Sequence, residues 1–295
     1  MLNFKIIDKD QLEEYKKYYD YSTSFGCDTN LINIYLWRYE YNINLAVVDD
    51  TLIKAYFRDD GTVWGYCMPV GKNTKGALEE IFNDAKERGA EPNIVMLTTE
   101  QKALLESLYP NKFTFKPSLE NQDYIYYSRD LATLEGKKFH SKRNHISRFY
   151  RTYKNTKFKM IDKTNISDAM RVVFDWYKEN NISSDDSSEI QVVREALENI
   201  ENLKMSGALL YVDERPVAMT LGSELSDSVY DINFEKALRK YDGAYAVINN
   251  EFAKTLTQYK YINREEDMGI EGLRKAKLSY KPVIVLERFT AEVKL

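Results

Sequence analysis

Ionisable side chains crowd the stretch 263–280: Arg264, Glu265, Glu266, Asp267, Glu271, Arg274, Lys275, Lys277 and Tyr280. Acids, bases and a phenol gathered in so short a span could supply general acid–base groups and a clamp for an anion. Gly269 and Gly272 punctuate the run and imply a turn with close backbone approach. The acids precede the bases, the polarity that suits a short helix. A salt-bridged helix capping a sheet has the same composition, and spacing alone leaves both readings open.

A second concentration lies at 136–159, where Lys137, Lys138, Lys142, Arg143, Arg148, Arg151, Lys154, Lys157 and Lys159 occur with no acid among them. Phe139, Ile146, Phe149 or Tyr150, and Tyr153 fall at helical spacing, so one narrow stripe would pack while the other faces present cations to solvent. The chain as a whole carries a net charge of −4, so any attraction for a polyanion must come from this local patch. It suits tRNA phosphates, a cofactor pyrophosphate or lipid headgroups; a solvated helix between domains, paired with acids elsewhere, is the plainer reading, since charge runs are usually solvated faces. His140 and His145 stand five apart, off a common helical face, and no metal site is expected from them.

Other chemistries find no anchor. There is no G-x-S-x-G elbow, no G-x-x-x-x-G-K-[ST] phosphate loop and no dinucleotide fingerprint. The two cysteines, Cys27 and Cys67, have no metal-ligand spacing, and so few thiols fit a reducing cytoplasm. The N-terminus reaches acidic residues too soon for a signal peptide, and the longest apolar stretches, such as Ala208–Val212 and Pro282–Leu286, suit buried strands rather than a bilayer span.

The elements that must hold these groups are written twice in one order. Asn44–Val48, an Asp49-Asp50 turn, Leu52–Phe57, an Asp59-Asp60-Gly61 turn and Thr62–Met68 read as three antiparallel strands, followed by a helix over about 74–88. Ala208–Val212, an Asp213-Glu214 turn, Pro216–Ser223, a Ser226-Asp227 turn and Ser228–Phe234 repeat the pattern, with a helix over about 244–258. Strands and helices at Phe4–Ile7 with 11–19, and at Phe158–Ile161 with 167–179, open the halves. Ile94–Leu97 and Val283–Arg288 would follow the two crossover helices. The fold class expected is α/β with mixed sheets, an internal duplication. Its layout resembles the GNAT-type acyltransferase fold in tandem: residues 1–134, then 135–295 led by a basic junction helix over about 137–155.

The run from Asn263 to Tyr280, the junction Gly136–Ile146 and the strand Asp231–Lys236 resemble the DUF2156 family, whose members are similar to the C-terminal synthase domain of phosphatidylglycerol lysyltransferases. The resemblance covers most of the chain. It implies a tandem GNAT fold and transfer of an aminoacyl group from aminoacyl-tRNA to a hydroxyl or amine, with no permanently bound cofactor. The membrane-anchored relatives use a lipid hydroxyl; no spanning segment is expected here, so the acceptor, a lipid headgroup or a small molecule, would be met from the water side. Acyl-CoA is the alternative donor. Its pyrophosphate would need the turn Arg239–Tyr245 at a helix N-terminus, where Lys240 and Gly243 fit the R/Q-x-x-G-x-G/A pattern loosely beside Arg239, Asp242 adds negative charge and Tyr245 replaces a small residue. A non-catalytic tRNA- or anion-binding protein on the same fold is the other alternative. For transfer, Asp231 or Glu235 would act as base and Tyr280 as acid beside the strand Tyr230–Glu235. Lys142, Arg143, Asn144, Arg239, Lys240, Arg264, Arg274, Lys275 and Lys277 would hold the donor. A simple strand alternation, with Tyr230, Ile232 and Phe234 inward, would instead leave both acids in solvent.

Overall fold

The computed structural model describes residues 1–22, 24–183 and 187–294. They form two compact units: Met1–Asp123 with Glu266–Glu271 and Val285–Leu295, and Tyr124–Glu265 with Gly272–Ile284.

In the first unit, β1 (Ile43–Val48), β2 (Thr51–Phe57), β3 (Val63–Cys67), β4 (Val70–Gly71), β5 (Ile94–Leu97) and β6 (Phe113–Pro117) share a mixed sheet with the late strand β14 (Phe289–Val293). The order is β1-β2-β3-β5-β14-β6, with β4 also on β2. Asp49 and Asp50 both adopt positive φ, 46° and 53°. That is the type I′ geometry whose twist matches two antiparallel strands, so Val48 pairs directly with Thr51. The helices are α1 (Leu12–Tyr19), α2 (Leu31–Leu36), α3 (Thr74–Arg88) and α4 (Thr99–Leu108). The Asn73 side chain caps the N-terminus of α3, and Gly89 at φ 67° ends it. Leu78, Ile81 and Ala85 of α3 pack on Ile53, Tyr66 and Ile94.

The second unit repeats these connections with β7 (Asp123–Tyr127), β8 (Thr156–Met160), β9 (Ser206–Val212), β10 (Arg215–Ser226), β11 (Val229–Ala237), β12 (Tyr261–Asn263) and β13 (Ile284–Leu286) in the order β13-β7-β12-β11-β10-β9-β8. In both sheets an antiparallel meander is followed by a crossover helix and a parallel strand, β5 on β3 and β12 on β11. An antiparallel strand from a distant part of the chain then joins, β14 on β5 and β7 on β12. This is the GNAT-type layout in tandem. The helices here are α5 (Ser128–Thr133), α6 (His140–Thr152), α7 (Ile166–Glu179), α8 (Ser188–Glu198), α9 (Ala244–Lys254) and α10 (Glu271–Leu278). Val247, Ile248 and Phe252 of α9 pack on Leu210, Val217 and Tyr230.

Three expectations change. A cut at 134/135 does not separate the units, because the strand and helix over 124–133 lie in the second unit and Val285–Leu295 lies in the first. Phe4–Ile7 makes only a bridge, Lys5 to Leu45. Val283–Arg288 is not one strand: β13 ends at Leu286, and β14 starts afresh in the other sheet.

Gly222 marks a register shift between β10 and β11. A Cβ there would lie 2.3 Å from the Asp231 carbonyl oxygen and 2.6 Å from the Tyr230 ring. Gly222→Ala should therefore force the two backbones apart, at a cost of about 2 kcal/mol, seen as a lower denaturant midpoint with unchanged slope.

Candidate active site in the second unit

β11 pairs with β10 as far as Ala237, but its pairing with β12 stops at Asp231. Beyond that point β11 continues while β12 has ended, so the ladder between the two parallel strands stops and side chains take its place. Glu235 lies on this stretch and Arg264 directly follows β12; they form an ion pair at 2.7 Å with side chains only 10% and 13% exposed. Asn249 of α9 donates from Nδ2 to Glu235 at 3.3 Å. Burial alone would lower the Arg264 pKa, but the Glu235 carboxylate overrides it and raises the guanidinium above its ordinary value. Arg264 Nη1 and Asn249 Oδ1 are buried without a hydrogen-bond partner. A buried donor and acceptor left open beside a carboxylate favour a polar guest.

Tyr280, just beyond α10, is buried, with Arg264 over its ring at 4.9 Å and the Lys142 ammonium over it at 3.9 Å. Burial pushes the Tyr280 phenol up to about 12, so it keeps its proton at neutral pH. Burial, with the Arg264 charge adding to it, brings Lys142 down to about 8. Lys142 also donates to Ser279 Oγ at 2.6 Å. These side chains come from β11, α6, α9 and the segments after β12 and α10, which explains why the family-like runs at 136–146, 231–236 and 263–280 sit far apart in sequence.

The other expected residues divide by what their side chains touch. Asp231 is fully buried, and Asn233 Nδ2 lies 3.4 Å from one of its oxygens, so an acceptor from solvent does not meet it. Both acids of the strand are thus enclosed rather than solvated, because both faces of β11 are covered. Lys277 is buried and donates to the carbonyls of Arg264 and Glu265 at 2.6 and 3.0 Å, fixing the turn that presents Arg264. Arg143 donates to the carbonyls of Leu134 and Gly136, closing the end of α5. Asn144 is exposed on α6, 3.1 Å from His140 Nε2. Arg274 is half-buried and Lys275 exposed on α10.

The turn before α9 is already occupied. The Glu179 carboxylate accepts the backbone N–H groups of Arg239 and Lys240 at 2.6 and 3.1 Å. Gly243, at φ 93°, sits so close to α6 that a Cβ would lie 3.0 Å from the His145 carbonyl oxygen. Arg148 pairs with Asp242, and the Tyr153 hydroxyl donates to the Lys240 carbonyl at 3.3 Å. The donors that would greet a pyrophosphate are thus met by this chain's own carboxylate and covered by its own helix.

On α6, Phe139 before it and Phe149 within it are fully buried, with Ile146 and Tyr153 packed against the same core. Arg151 and Lys154 are exposed and make no ion pair among the described residues. Asn249 and Glu179 lie outside the motif-like runs of the sequence. A buried amide in an otherwise apolar helix face was a readable signal for Asn249, whereas nothing local marks Glu179.

Residues 19–292 match the sequence model of the family described as phosphatidylglycerol lysyltransferase, C-terminal. A crystal structure of a conserved protein of unknown function from Bacteroides thetaiotaomicron VPI-5482 is 37% identical, covers 100% of both chains and superposes with a TM-score of 0.93. L-PGS from Bacillus licheniformis, at 15% identity over 96% of this chain and 91% of that one, gives 0.68. The C-terminal DUF2156 domain of a putative lysylphosphatidylglycerol synthetase from Agrobacterium fabrum, at 12% over 97% and 92%, gives 0.67. At such identities the last two share the fold. An uncharacterized protein of Mycoplasmoides gallisepticum is 24% identical over 173 residues, and the match spans 58% of this chain and 56% of that relative's length. No helix among the described residues is long and apolar enough to cross a membrane.

Proposed function

The chain belongs to the phosphatidylglycerol lysyltransferase C-terminal family, and from that premise we propose that it transfers an aminoacyl group from aminoacyl-tRNA to a hydroxyl or amine acceptor. The observation that carries the reading is the buried Glu235–Arg264 pair beyond the end of β12, beside which Arg264 Nη1 and Asn249 Oδ1 have no hydrogen-bond partner. The donor's ester carbonyl would lie there, its oxygen steadied by the guanidinium as negative charge develops.

The neutral amine of Lys142 takes the proton of the acceptor as its oxygen or nitrogen attacks the carbonyl carbon. The bond to the tRNA ribose oxygen breaks, and the Tyr280 phenol gives that oxygen a proton. Lys142, adjacent to the ring, then returns its proton to the phenolate, so the step balances. Glu235 serves to hold Arg264, and Asp231 to set the strand through Asn233.

The filled Arg239–Lys240 turn speaks against acyl-CoA as donor, because Glu179 would have to leave before a pyrophosphate entered. A tRNA backbone needs no such cradle and can lie along exposed cations. The test is incubation with isotope-labelled aminoacyl-tRNA pools, and separately with acyl-CoAs, in the presence of phosphatidylglycerol vesicles and small amines, followed by mass analysis. Label leaving tRNA faster than by uncatalysed hydrolysis and appearing on an acceptor is the expected result. Label taken only from acyl-CoA, or tRNA bound without turnover, opposes it. In the same assay Arg151→Glu with Lys154→Glu should weaken tRNA binding at least about tenfold and lower the salt slope by about 2.

A further inference from the structure

The first unit encloses a group of side chains that the transfer chemistry does not use. Cys27, Asp123 and Glu266 each bring one potential ligand atom to within 4.8 Å of the others, the first two buried and the third half-buried. They arrive from three distant places: the turn before α2, the start of β7 and the segment after β12. Cys27 Sγ stands 3.2 Å from Glu266 Oε2. At zinc–sulfur and zinc–oxygen bonds of about 2.3 and 2.0 Å, that separation subtends roughly a right angle at a shared ion.

An independent feature suits a cation. Asp123 is fully buried; its Oδ2 accepts from Arg288 Nη2 at 2.8 Å, but its Oδ1 has no hydrogen-bond partner. A buried carboxylate oxygen without a donor is costly. Arg288 does not reach it, although Arg288 is wedged so tightly that a Cβ on Gly26 would lie 1.7 Å from Nη2. Arg288 instead holds Asp123 and Asp28, and Lys54 holds Asp28 at 3.2 Å. Two carboxylates thus balance two cations. Ligation by a thiolate and carboxylates suits a divalent ion, and the Cys27 thiol would release its proton on binding. The grip of Arg288 on Asp123 is the kind of outer hydrogen bond that orients a ligating carboxylate.

We propose that Cys27, Asp123 and Glu266 form a site for a divalent cation of the zinc class, with one thiolate and two carboxylate ligands. The half-buried Glu266 gives the path from solvent.

The full chain, stripped with a chelator, is titrated with Co2+ as a spectroscopic stand-in and, separately, loaded with Zn2+, dialysed and analysed for metal. The expected result is stoichiometric zinc and an intense near-ultraviolet sulfur-to-cobalt band. The band should vanish in Cys27→Ala, persist in Cys67→Ser and need at least about tenfold more Co2+ in Asp123→Asn. No retained zinc, no charge-transfer band, or a band that survives Cys27→Ala overturns the site. Should Cys27→Ala fail to fold, Zn2+ must still raise the melting temperature of the unaltered protein; no rise overturns the proposal too.

Discussion

Arg264→Ala is expected to remove transfer by at least about a hundredfold and to destabilise the second unit by about 3–5 kcal/mol, because Glu235 is left buried and uncompensated. The pair is nearly enclosed, at 2.7 Å, so its loss is not softened by solvent as at a surface bridge. Stability and chemistry can be separated. In Arg264→Met with Glu235→Leu no charge remains stranded, and apolar side chains of similar volume often replace a buried pair without loss. That double variant should recover most of the unfolding free energy in urea while transfer stays absent. If it regained transfer as well, the pair would be scaffold and the oxyanion role assigned to Arg264 would fail.

Lys142→Met should lower the transfer rate by about 10²–10⁴, the range for a positioned base, and should erase the rise in rate expected of the parent through pH 8, once uncatalysed ester hydrolysis is subtracted. The same substitution carries a stability signature whose sign follows from linkage. In the folded chain Lys142 loses its proton near 8, against an ordinary value of 10.5. Between those limits the unfolded chain holds the proton and the folded chain does not, so raising the pH favours the fold. The penalty for the buried ammonium is fully present below pH 8 and is relieved by pH 10.5. The melting temperature of Lys142→Met relative to the parent should therefore be most favourable below pH 8 and decline across that window. A difference that stays flat from 8 to 10.5 would mean that Lys142 titrates normally and is no base.

Much of the architecture was legible because it is local. The Asp49-Asp50 and Asp213-Glu214 turns, the meanders they join and the helices after them follow from side-chain period and turn chemistry. The stripe through Phe139, Ile146 and Tyr153 was readable for the same reason, while the choice between Phe149 and Tyr150 falls to Phe149 only in the fold. What was hidden is non-local. Nothing between Val283 and Val293 announces that the chain leaves one sheet and enters another at Arg288, since strand alternation is silent about the neighbouring strand. The candidate site was legible as a set of segments rather than as roles. By residue type Lys277 is a phosphate ligand, but its ammonium is held by two carbonyls; by type Asp231 is a base, but it is fully buried. Burial reverses the meaning of a charged residue, and burial is decided by the far side of the fold.

The place of β14, between β5 and β6, has a consequence for biosynthesis. Until Phe289–Val293 leaves the ribosome, the sheet that starts to form from the earliest strands has an unzipped seam, with Ile94 and Phe113 beside two rows of unanswered amide and carbonyl groups. The nascent first unit therefore has to wait through synthesis of the whole second one, a delay in which chaperones or a pause in elongation would matter more than for domains that close in order of emergence.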